Sequence, residues 1–165
     1  MSPTLALLHK CSWRAECLLK QRGHFRTIVW LVEYSDGTRD QIETGCDAPP
    51  AVTDAAALDV LADEMRADFL HDRVTRFALA FAGTAFTFTT TLAREPLQRR
   101  CECVAVEAHD SEGGHLRSWR EIICPPGRTP TLGALSIVES AEDSRYAALL
   151  ALNPVGRHHR VGSAG

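Results

Sequence analysis

Lysine is nearly missing from this chain of 165 residues: Lys10 and Lys20 stand against sixteen arginines. That scarcity rules out a lysine-rich arm, and with abundant alanine it points to a GC-rich bacterial or phage genome rather than to a function. Long apolar runs are also missing. The best N-terminal stretch, Leu5 to Leu8, is interrupted by His9 and Lys10, too short for a membrane span and poorly matched to a signal peptide. The resulting expectation is a cytoplasmic protein with no membrane association, in which six cysteines stay reduced. Motifs with an established mechanism are absent too. There is no phosphate-binding glycine loop, dinucleotide fingerprint, nucleophile elbow or paired-histidine zinc helix. No internal repeat or heptad run is present, which excludes solenoids and coiled coils.

What remains has the balance of a globular domain, with 45% hydrophobic and 24% charged residues. One core is expected over residues 1–155, followed by a disordered tail over 156–165 that is poor in apolar side chains. The formal charge of −3 is unevenly spread. Residues 33–72 hold eleven acidic groups against Arg39 and Arg66, whereas residues 73–128 hold eight arginines against six acids. No dense basic stripe results, and nucleic acid is not an expected partner.

Periodicity then orders the elements. Leu5, Leu8, Ala15 and Leu18 fit a helical stripe, while Trp13, Ala15 and Cys17 alternate as a strand would. The reading is a short helix or irregular start, a strand over 14–20 and a turn over 21–24. Residues 25–34 form a strand rich in β-branched and aromatic side chains, and Asp36-Gly37 turns it into a partner over 39–44. Thr53 caps a helix over 54–71 with an acidic outer face. Residues 74–81 and 85–92 are either one long strand or a hairpin about Gly83. A polar connection broken by Pro96 leads to strands over 101–109 and 116–124, stopped by Pro125-Pro126-Gly127. A short strand over 132–138 and a helix over 140–152 complete the chain. The expected fold is α+β: a mainly antiparallel sheet of five to seven strands packed against two helices.

The turn Ser111-Glu112-Gly113-Gly114 concentrates what chemistry there is. A two-residue loop Glu112-Gly113 places Cys101 opposite Cys124 and His109 opposite Leu116; a loop Gly113-Gly114 places Cys103 opposite Cys124. Either register lets Cys101, Cys103 and Cys124 approach one another, but their spacing matches no zinc knuckle, and buried packing accounts for them better than thiol ligation of a metal, with a regulatory disulfide third. Glu107, His109 and His115, with Asp110, form the second group: a carboxylate that could orient an imidazole, or two imidazoles and a carboxylate around a divalent ion. Polar residues also gather at hairpin ends because such ends are wet. Trp119, flanked by Arg117 and Arg120, has the composition of an interface anchor. On this basis the chain is expected to be a non-enzymatic, self-associating or protein-binding module without a cofactor, the alternative being a small metal-dependent or acid/base enzyme built on the 101–124 hairpin.

Overall fold

A computed structural model describes residues 1–45, 73–90 and 96–139. It begins with helix α1, Pro3–Arg22, and continues through strands β1 (Thr27–Tyr34), β2 (Arg39–Gly45), β3 (Val74–Thr90), β4 (Pro96–Asp110), β5 (His115–Ile123), β6 (Thr131–Leu132) and β7 (Ser136–Glu139). The strands make a seven-stranded sheet in the order β2-β1-β3-β4-β5-β6, with β7 also paired to β5, and every pairing is antiparallel.

The first correction concerns residues 14–20, which are helical rather than a strand. Ser2 accepts the Leu5 N–H, Pro3 stands where a missing N–H costs nothing, and Gly23 closes the helix at φ 74° by donating its N–H to the Leu19 carbonyl. Between these caps Thr4, Leu7, Leu8, Cys11, Ala15, Leu18 and Leu19 recur at spacings of three and four and are all buried. Trp13, whose parity suggested a strand, projects outward at 66% exposure. The second correction follows: among the described residues one helix packs on the sheet, not two. The helices expected over 54–71 and 140–152, and the tail after 155, fall outside the described residues.

α1 lies against the face carrying Val29, Ala78, Ala80, Val104, Val106 and Ala108. Small alanines on β3 and β4 let the helix approach closely. Polar ties fix its position: Thr4 donates to Asp110 (2.6 Å), Arg14 and Arg22 reach Glu43 on β2 (2.7 and 3.1 Å), and Arg120 on β5 reaches Glu16 (2.8 Å). The opposite face carries Ile28, Trp30, Val32, Phe77 and Leu79, also buried. The two candidate strands around Gly83 are one strand, paired with β4 in unbroken register from Arg76 opposite Asp110 to Thr90 opposite Pro96. Pro96 therefore starts β4 instead of interrupting a loop, a position where proline's missing donor is tolerated.

Candidate metal and proton-transfer site

The β4–β5 turn decides which side chains meet. Neither two-residue loop forms. The Gly113 N–H donates to the Asp110 carbonyl (3.2 Å), Gly113 takes φ 93°, and the Asp110 N–H donates to the Gly114 carbonyl (3.0 Å). This is a three-residue loop with a left-handed glycine at its end. Asp110 organises it: Oδ1 accepts the N–H groups of Glu112 (3.0 Å) and Gly114 (2.7 Å), while Oδ2 accepts from Thr4. Asp110 thus belongs to the turn and to the α1 contact, on the face away from the histidines.

The three-residue loop shifts the register from both expected alternatives. His109 pairs with His115, Glu107 with Arg117 and Cys103 with Glu121. Because side chains alternate along a strand, a one-residue shift determines which groups share a face. Here it gathers Glu107, His109, His115 and Arg117 beside Phe77 and Leu79, which oppose His109 and Glu107 on β3.

Glu107 divides its two oxygens. Oε1 accepts from Arg117 Nη2 (2.7 Å) and Nε (3.0 Å). Oε2 faces both imidazoles, 3.5 Å from His109 Nε2 and 3.7 Å from His115 Nε2. One potential ligand atom from each of Glu107, His109 and His115 falls within a group spanning 4.8 Å. The rings form a column, with Phe77 stacked on His109 (centroids 4.8 Å apart) and His109 on His115 (4.1 Å, 12° between planes). Trp30 leans on Phe77 at 5.7 Å.

The site is dry. Glu107 and His109 are 4% and 3% exposed, so the wet hairpin end that would explain polar residues here does not exist on this face. Burying a carboxylate and two imidazoles is costly unless they are paired, and Arg117 supplies the countercharge. This convergence overturns the expectation of a non-enzymatic module, because a largely buried Glu-His-His group with its ligand atoms within 4.8 Å is an arrangement that packing alone does not require.

The other sequence candidates are placed differently. Cys101 and Cys103 are buried on β4, whereas Cys124 lies exposed beyond the end of β5. Among the described residues no cysteine joins a metal-ligating group of three. Burial, with Cys101 adding to it, pushes the Cys103 thiol up to about 11, which keeps it protonated near neutral pH. Arg120 is committed internally, donating to the Gly133 and Leu132 carbonyls (2.7 and 3.1 Å) as well as to Glu16. Trp119 is half-buried between Ala105 on β4 and Ser136 on β7.

Two roles escaped the sequence. Arg117, which flanks Trp119 in the sequence and stays partly exposed, also serves as the Glu107 counterion; Asp110, next to the histidines in the sequence, organises the turn. The signal for both was an Asp three residues before Gly113, which favours the three-residue loop. No protein-family model, no curated protein and no solved structure matches the chain, so the functional reading rests on these side chains alone.

Proposed function

We propose that the chain is a small metal-dependent enzyme whose centre is formed by Glu107, His109 and His115. The observation that carries this reading is the convergence of one carboxylate oxygen and two imidazole nitrogens within 4.8 Å, Glu107 and His109 being buried and His115 intermediate. Two histidines and one carboxylate suit zinc or a first-row transition metal, and three protein ligands leave coordination positions for water or substrate. A metal held there would polarise a bound oxygen or lower the pKa of a bound water. Arg117 fixes Glu107 from behind, as partners of metal ligands commonly do.

A second reading is supported by the stacking. The rings are 4.1 Å apart and 12° from parallel, with both Nε2 atoms beside the same Glu107 oxygen, and a metal bound in both ring planes would need the pair to rotate toward a common point. Without a metal the same group is a carboxylate orienting two imidazoles, a proton-transfer pair.

Elemental analysis of the purified full chain after dialysis against zinc, and separately against iron(II) or manganese(II) under anaerobic conditions, separates the two. The metal reading predicts one equivalent retained by the wild type and lost in H109A and H115A. Substoichiometric metal in the wild type, or full retention in both variants, would contradict it.

A further inference from the structure

At the opposite end of β4 from the histidines lies a cavity of about 490 Å³, within the range of about 300–1,000 Å³ typical of small-molecule sites. Leu19 at the end of α1, Phe25 before β1 and Ile122 on β5 give it apolar walls. Its charged lining is of another kind: Arg26, Arg100 and Glu102, with His24 beside them.

Most of the arginines described outside this cavity are paired. Arg14, Arg22, Arg39, Arg76, Arg99 and Arg117 each form an ion pair with a carboxylate, and Arg120 pairs with Glu16. Among the described residues no side-chain hydrogen bond or ion pair engages Arg26 or Arg100, nor Arg73 or Arg128 elsewhere; Arg26 and Arg100 are the two that line the cavity, with Glu102. Two guanidinium groups and one carboxylate thus line the cavity together with its apolar residues. A planar guanidinium with its donors available is the group best matched to a carboxylate or phosphate, which it grips through two parallel hydrogen bonds.

We infer that this cavity binds a small organic acid, its apolar body against Leu19, Phe25 and Ile122 and its carboxylate or phosphate held by Arg26 and Arg100. The inference stands apart from the histidine centre, since none of Glu107, His109 and His115 lines the cavity. Cys124, exposed and on the lining, reports occupancy. Cys101 and Cys103 share the cavity but are buried, and burial holds the Cys103 thiol protonated.

The test is calorimetric titration of the full chain with octanoate, octyl phosphate and octylamine, each with and without EDTA, alongside the rate of Cys124 alkylation read by peptide mass spectrometry. The expected result is saturable binding of octanoate, octyl phosphate or both, slowed Cys124 alkylation in their presence, no binding of octylamine and no effect of EDTA. The two acids distinguish a carboxylate from a phosphate ligand. The R26Q/R100Q double variant, altered at two exposed positions, should keep its fold by circular dichroism and bind the acid about tenfold more weakly, the loss expected when charge-assisted hydrogen bonds are removed. Binding of octylamine as tight as that of the acids, unchanged affinity in the double variant, an unchanged Cys124 rate at saturation, or no binding of either acid at millimolar concentration would each overturn the inference. Loss of metal in H109A with acid binding intact would leave it standing, so its failure and that of the metal reading are separable.

Discussion

Glu107 is the residue on which the site turns, because a buried carboxylate must be either neutralised or paired. Arg117 pairs with one oxygen and leaves the other directed at two imidazoles. Removing the guanidinium in R117A leaves that carboxylate without its principal countercharge. Arg117 is itself partly exposed, so the cost should be nearer about 2 kcal/mol than the 3–5 kcal/mol of fully buried pairs. Urea denaturation checks this, and a loss below about 0.5 kcal/mol would mean that the pair contributes no more than a surface ion pair. Changing Glu107 to Gln, which keeps the shape and removes the charge, should partly restore stability to the R117A background, because no uncompensated charge is left inside. Restoration of stability without restoration of metal binding would identify the charge itself as what the site requires.

At the scale of the element, the β4–β5 turn is a register device. Gly113 holds φ 93°, a conformation that costs a residue with a Cβ about 1–2 kcal/mol, and a Cβ at Gly114 would collide with the Asp110 carboxylate. G113A should therefore destabilise the protein by about 1 kcal/mol in thermal or urea unfolding. Inserting one residue between Ser111 and Gly113 should abolish metal binding while leaving a folded sheet, since the slip moves His115 out of line with His109. The same element shows how far the sequence was legible. Strong local signals were read correctly: the Asp36-Gly37 turn, where Gly37 takes φ 83° and the Tyr34 N–H donates to the Thr38 carbonyl, and strands β1, β4 and β5 to within a few residues at their described ends, apart from the start of β4. The turn at 111–114 was located, but its loop length was not, because adjacent glycines offer several left-handed positions and only the Asp110 side-chain bonds select one. Residues 14–20 failed for another reason. Their strand-like alternation was a coincidence of Trp13, Ala15 and Cys17, and the stripe from Thr4 to Leu19 becomes decisive only when the caps Ser2 and Gly23 are taken as the ends of one helix.

For the molecule as a whole, α1 is held to the sheet by ion pairs that titrate. The Arg14 hydrogen bond, reinforced by Arg22, holds the Glu43 carboxyl below its ordinary value, and Lys20 followed by Arg120 does the same for Glu16. A carboxylate whose folded pKa lies below its unfolded one stabilises the fold above the unfolded value, about 4.3 for Glu, and that contribution fades as pH falls through the lower folded value. Stability should therefore drop below about pH 4.3, and E43Q should show a shallower drop, measured as urea midpoints across the acid range. A wild-type profile that E43Q does not flatten would remove the Glu43 pairs from the account of how α1 is anchored. None of these outer pairs touches the histidine column, so the acid response of the fold and the chemistry of the site are separable by mutation.

The most direct test of the central claim is a cobalt(II) titration of the full-length protein followed by absorption, because visible ligand-field bands report coordination number and near-ultraviolet charge transfer reports thiolate ligation. One equivalent of cobalt giving intense visible bands without thiolate charge transfer, lost in H109A and in H115A, is what a Glu107-His109-His115 centre predicts. Either no saturable bands in the wild type, or thiolate bands that persist when the two histidines are replaced, would contradict it.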